Sequence, residues 1–158
     1  MERVNTDEIV RSFGNWRNPS DVMKAGKMAV NRIRDYFDNG VSFNQETTLC
    51  GNSILKNIDR AKLLEYEIEL HYVGVDSVEL AKQRIKYRVA HGGHGIPDCD
   101  VERRYVESFE QLNVLKSKCD LVVFYDNSEK FNRFAIYKNG ILCKISNEVP
   151  MWYKKYIK

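Results

Sequence analysis

Val41-Ser42-Phe43-Asn44-Gln45-Glu46-Thr47-Thr48-Leu49 decides how this chain is read. Val41 and Phe43 mark residues 41–46 as a short strand, and a helix is expected over 53–65. Glu46, Thr47 and Thr48 therefore stand at the carboxyl end of a strand, just before a helix. Open α/β sheets meet their ligands at that end of their strands. The stretch predicts both a fold class and a place where polar side chains can do chemistry.

On both sides of it, helices and strands alternate. Asn5-Thr6-Asp7-Glu8 opens a helix, with Thr6 as the expected capping acceptor and two acids at the positive helix end. Asn18-Pro19-Ser20 opens a longer one to about residue 38. Its inward face is read as Val22, Gly26, Ala29, Val30, Ile33 and Phe37, and Asn39-Gly40 supplies a left-handed stop. In the helix over 53–65, Ile54, Leu55, Ile58, Ala61 and Leu64 are expected to turn inward. Residues 67–74 alternate Ile68, Leu70 and Tyr72 before Val73-Gly74, which predicts a strand ending in a turn. Asp76-Ser77 caps a helix to about residue 91, and 98–100 opens another that reaches about 117. Leu121-Val122-Val123-Phe124-Tyr125 reads as a strand buried on both faces. Residues 134–138 and 141–145 flank Asn139-Gly140, the sequence of a tight hairpin. The order is α/β with crossover helices, closed by a small antiparallel hairpin.

Composition narrows the function classes. A chain of 158 residues has the length of one domain, and 43% hydrophobic with 30% charged residues suits an ordered globular protein. A formal charge of +3, without a basic run interleaved with aromatics, argues against nucleic acid as a partner. Lys154-Lys155 reads as a solvated face. No apolar run approaches the roughly 20 residues of a membrane helix, and Met1-Glu2-Arg3 does not lead into a signal peptide. The four cysteines, Cys50, Cys99, Cys119 and Cys143, are far apart in sequence, as expected of reduced thiols in a cytoplasmic protein.

Three groups of residues invite a chemical reading, each beside a plainer one. If Val4 ends a short strand, Asp7 sits at a strand-to-helix junction and can accept a proton from a substrate hydroxyl. It can equally serve the helix dipole alone. Glu46 with Thr48 can bind a substrate hydroxyl, or simply close a strand with a polar loop. Arg84 and Arg88 share one helical face, and His91-Gly92-Gly93-His94-Gly95-Ile96-Pro97 must then break the helix. Arg103 and Arg104 follow on the next one. Two arginine-bearing helices joined by a glycine-rich turn can form a lid over phosphates; pairing with Glu102 and Glu107 would also explain the charges. His91 and His94 lack the spacing and third ligand of a zinc site.

These residues occur in an order that resembles the zeta toxin family of P-loop kinases. The matching pieces are Asn5-Thr6-Asp7-Glu8-Ile9, Ala25-Gly26-Lys27, the stretch 42–48, Tyr72-Val73-Gly74, the stretch 84–94, Pro97, Arg103-Arg104-Tyr105 and Tyr125-Asp126-Asn127-Ser128. The resemblance implies a three-layer P-loop kinase-like sandwich with a mostly parallel sheet. It implies transfer of a phosphoryl group from ATP, with Mg2+, to a sugar hydroxyl of UDP-N-acetylglucosamine or another small molecule, restrained by an antitoxin protein. Asp7 matches the general base, and Glu46 and Thr48 match the substrate-binding strand end. Arg88 and Arg104 match the phosphate-binding lid arginines, with Arg103 a further match because the intervening loop differs in length.

The departure from the family lies at the start. The family's first strand and phosphate loop immediately precede the segment matched by Val4 and Asp7, whereas Met1, Glu2 and Arg3 stand there here. No G-x-x-x-x-G-K-[ST] loop occurs in the 158 residues. Residues 1–158 are thus expected to be one zeta-toxin-like kinase domain without its central first strand, with weak ATP affinity and no phosphoryl transfer. The preferred expectation is a fragment of a longer protein. The alternative is a shortened, non-catalytic protein that binds an antitoxin or the substrate. A missing central strand would leave the strand ending at Glu46 and the one ending near Gly74 roughly 9–10 Å apart.

Overall fold

A computed structural model describes residues 1–158. It contains six strands and six helices in mixed α/β order. They are β1 (Glu2–Val4), α1 (Thr6–Phe13), α2 (Pro19–Asp38), β2 (Phe43–Gln45), α3 (Asn52–Leu63) and β3 (Glu69–Gly74). Then come α4 (Val78–Ala90), α5 (Asp98–Leu115), β4 (Leu121–Asp126), β5 (Asn132–Lys138), β6 (Ile141–Ile145) and α6 (Met151–Tyr156). The strands form two sheets, β1-β2 and β3-β4-β5-β6. The β1-β2 and β3-β4 ladders are parallel, whereas β4-β5 and β5-β6 are antiparallel. The strands ending near Glu46 and Gly74 thus belong to separate sheets. No helix is long and apolar enough to cross a membrane.

The chain divides into two compact units. The first comprises Met1–Thr48 with Arg88–Gly95, and the second Leu49–Tyr87 with Ile96–Lys158. In the first unit, three residues of β1 pair in register with three of β2, Val4 opposite Gln45. So short a parallel pair is not stable by itself. Its support is an apolar core of Val4, Ile9, Val10, Ala25, Ala29, Ile33 and Phe37, drawn from β1, α1 and α2. Pro19 starts α2 where its missing N–H costs nothing, and Asn18 caps the helix by accepting from the Ser20 amide at 3.1 Å. Of the expected inward face of α2, Ala29, Ile33 and Phe37 are buried, whereas Val22 and Val30 are exposed. Ala25 is fully buried and joins that face, while Val30 is 54% exposed.

The second unit is built on aromatic rings. Trp152 of α6 stacks on Phe109 of α5 at 5.5 Å, and Phe109 stacks on Tyr156 at 4.6 Å. Trp152 lies so close to β3 that a Cβ on Gly74 would fall 2.3 Å from its ring carbon Cζ2. Gly74 is required there because only a bare backbone admits the indole. The β4 run Val122-Val123-Phe124 is buried, as its continuous apolar sequence predicts. The β5-β6 hairpin turns at Asn139 and Gly140, with φ of 49° and 76°, the left-handed pair its sequence calls for. Helix α6 was not expected from the sequence: Lys154-Lys155 sits on a helix anchored by the buried Trp152.

Candidate functional site

The carboxyl ends of β1 and β2 carry the polar cluster of the first unit. Asn5, not Thr6, caps α1: its Oδ1 accepts from the amides of Asp7 at 2.9 Å and Glu8 at 3.3 Å. Asn serves better than the adjacent Thr because it falls in extended backbone one residue before the first turn. The same side chain reaches across the ladder, its Nδ2 donating to Glu46 Oε2 at 2.6 Å. Arg3 donates to Glu46 Oε1 and lies 3.1 Å from Glu8 Oε1. The Glu46 amide donates to Val4 O at 3.0 Å, continuing the ladder past the last strand residue. Glu46 is therefore held by two donors from β1 and its extension, yet its side chain stays 56% exposed.

Asp7 lies on the first turn of α1, with its side chain 48% exposed. Its Oδ1 is 3.9 Å from His94 Nδ1. The His94 ring packs on Trp16 with centroids 4.9 Å apart, and the Arg17 guanidinium lies 4.5 Å over the other aromatic, Trp16. Arg88 Nε donates to His94 O at 2.8 Å. That bond uses one guanidinium nitrogen and leaves Nη1 and Nη2 for other partners. Asp7, Glu46, Thr48 and Arg88 all belong to the first unit, with Thr48 exposed just after Glu46.

Arg103 and Arg104 belong to the second unit. Arg103 is tied along its own helix to Asp100 at 3.2 Å and Glu107 at 2.7 Å, which is the plainer role open to it in the sequence. Arg104 is half-buried, and its carbonyl lies 3.5 Å from Cys50 Sγ. Arg84 is structural: Nη1 and Nη2 donate to the carbonyls of Asn127 and Ser128, the latter at 2.7 Å. The sequence gives no direct sign of the Arg3 and Asn5 contacts to Glu46, which depend on strand register. In the sequence, His94 stood out only as part of a helix-breaking turn and as a zinc ligand without the spacing for one.

The phosphates of ATP with Mg2+ do not fit directly on the amides at the head of α1. The amides that would face a phosphate there are already bonded to Asn5, and Asp7 and Glu8 place negative charge beside them. No group of three or more His, Cys, Asp or Glu residues is arranged to hold a metal ion.

A protein of Haemophilus influenzae, described as uncharacterized, is 35% identical to this chain over 104 residues, which make up 65% of this chain and 73% of that protein. The chain belongs to that protein's family. No protein-family model matches the chain, and no solved structure matches it. Membership in the Haemophilus protein's family brings no activity, substrate or partner with it.

Proposed function

We propose that this chain carries the hydroxyl-acceptor side of a zeta-toxin-like phosphotransferase, with Asp7 as the general base. The ligand would be a nucleotide sugar of the UDP-N-acetylglucosamine class, or a small molecule with a similarly placed hydroxyl, in the cytoplasm. One observation carries this reading: half-exposed carboxylates, Asp7 and Glu46, stand at the carboxyl ends of two adjacent parallel strands. In it, Asp7 accepts the hydroxyl proton, while Glu46, fixed by Arg3 and Asn5, accepts from a second hydroxyl through its remaining lone pairs. Thr48 adds a hydroxyl beside it. Arg88, in the same unit as Asp7 and Glu46, is the arginine kept for phosphate groups, with Nη1 and Nη2 left over from the bond that Nε makes. The P-loop kinase-like sandwich remains the fold that goes with this reading. In its support, the β1-β2 and β3-β4 ladders are both parallel.

The capped head of α1 favours a second, narrower reading in which these 158 residues bind without phosphorylating. They would hold the sugar nucleotide, or an antitoxin protein, and transfer nothing from ATP. Titration of UDP-N-acetylglucosamine followed by amide NMR tests both. Saturable shifts at Asn5, Asp7, Glu46 and Thr48, with no phosphoryl transfer from Mg-ATP, are expected. Robust turnover by residues 1–158 would overturn the binding-only reading. A spectrum that millimolar ligand leaves unmoved at these amides would overturn the proposed ligand class.

A further inference from the structure

We infer that His94 positions Asp7, donating from Nδ1–H to its carboxylate; the inference rests on the reading of Asp7 as a base. His94 Nδ1 is buried and has no hydrogen-bond partner. A buried ring nitrogen left unpaired is costly, so the arrangement calls for a partner. The carboxylate of Asp7 stands 3.9 Å away. That is beyond hydrogen-bond range but within a small side-chain rotation of it. Catalytic contacts of this kind are commonly long in the ligand-free state and tighten on binding.

The loop is built to keep the ring there. Trp16 packs against the ring at a 56° tilt, limiting its rotation. Arg88 Nε fixes the His94 carbonyl, and the Gly93 amide donates to Arg88 O at 2.9 Å. A Cβ at Gly93 would lie 2.4 Å from Arg88 Cγ, and one at Gly95 would lie 2.9 Å from the Trp16 ring. Both glycines are therefore needed for the backbone on either side of His94 to come this close. Gly92 adopts φ of 81°, which turns the chain out of α4 and into the loop. The result presents Nδ1 to one side of the Asp7 carboxylate and leaves the other side open to solvent. In that arrangement Nδ1 carries the proton and Nε2 does not, because the tautomer follows the hydrogen bond.

Packing on Trp16 alone would not set the tautomer, so nitrogen NMR separates the two roles. The full chain, labelled with 15N in histidine, is measured at alkaline pH where imidazole is neutral. The Nδ1–H form of His94 is expected to dominate, and Asp7→Ala should move it toward the Nε2–H form. The exposed His91 serves as the control and should not change. An unchanged His94 tautomer in folded Asp7→Ala overturns the inference. If that variant does not fold, the carboxyl carbon resonance of Asp7 decides. It should move in His94→Phe, which keeps a ring against Trp16, and return in His94→Asn, which restores a donor at the δ position. No movement in His94→Phe overturns the inference equally. Sugar-nucleotide titration of the wild type keeps the two proposals apart. The tautomer signature without binding removes the ligand class and leaves the pair. Binding without the signature removes only the role of His94.

Discussion

The two units place the carboxyl ends of parallel strand pairs under opposite use. At the ends of β3 and β4, the side chains of Asp126, Ser128 and Arg84 serve the fold. Asp126 Oδ1 accepts from Trp152 Nε1 at 2.9 Å and from Ser128 Oγ at 2.7 Å. Ser128 Oγ in turn accepts from the Asp76 amide at 2.9 Å, while Arg84 holds the following carbonyls. At the ends of β1 and β2, Asp7 and Glu46 keep about half of their side-chain surface in solvent. Topology marks both places as ligand sites, but side-chain saturation separates a structural knot from a site with capacity left over.

The strongest way to break that contrast is to disturb the knot. Trp152→Ala should cost about 3–5 kcal/mol, the range for emptying a large aromatic from a core. It would also leave Asp126 without its indole donor. Gly74→Ala should cost about 1–3 kcal/mol by forcing a methyl group into the Trp152 ring. Urea unfolding followed by circular dichroism measures both. If neither moves the midpoint, the aromatic packing is not what holds the second unit.

The opposite result is expected at β1 and β2. Glu46→Gln should change stability by no more than about 1 kcal/mol, because its ion pair is exposed to water and salt. It should nevertheless weaken sugar-nucleotide binding by about tenfold, since a charge-assisted acceptor is replaced by a half-donor amide. Calorimetric titration of the variant and urea unfolding are the two readouts. A large stability loss with unchanged affinity would make this end a structural knot as well.

The sequence made the elements legible where the cause is local. Asn139-Gly140 fixed the hairpin, the Val122-Val123-Phe124 run fixed a buried strand, and Asn18-Pro19 fixed the start of α2, because each acts within a few residues of itself. Register and packing were not legible. Which side chain caps α1 was decided between neighbours, Asn5 and Thr6, by backbone geometry. The burial of Ala25 in place of Val30 and the burial of Trp152 depend on partners far away in sequence. For the candidate site, Asp7, Glu46, Thr48 and Arg88 were named from the sequence and fall in one unit. The grip of Arg3 and Asn5 on Glu46, 43 and 41 residues away, needs the β1-β2 ladder to exist first.

A pH series sharpens the contrast further, because the clear titration shifts with an effect on stability lie in the second unit. The Ile68 amide, bonded to Asp120 Oδ2 at 2.8 Å, and then Lys62, hold the Asp120 carboxyl below its ordinary value of 3.8. A depressed folded pKa means that this stabilisation is present above the unfolded value and is lost as pH falls through the folded one. Tyr72 behaves in the other sense. Burial, partly offset by its Ser108 hydrogen bond, pushes its hydroxyl up from 10.0 to about 12. Its contribution is complete below the unfolded value and is lost as pH rises through about 12. Urea midpoints should fall at both extremes, and Asp120→Asn should flatten the acid arm while leaving the alkaline arm intact. An acid arm unchanged in Asp120→Asn would mean that other carboxylates dominate it.

The smallest expected effect distinguishes two adjacent arginines. Arg103 lies on the exposed surface of α5 between Asp100 and Glu107, its charge balanced along one helix. Glu107 has a second task, accepting from the Gly51 amide at 2.7 Å, and that bond does not need Arg103. Arg103→Ala should therefore leave both the urea midpoint and the sugar-nucleotide affinity indistinguishable from wild type. Arg104→Ala should weaken affinity while leaving the midpoint near its starting value, if a guanidinium on α5 serves the ligand's phosphates. The pair is informative because both variants remove one positive charge from neighbouring positions, so long-range electrostatics change almost equally. A difference between them must come from local contacts. If Arg103→Ala weakens binding and Arg104→Ala does not, the acids around Arg103 are positioning a ligand contact, and the two arginines exchange roles.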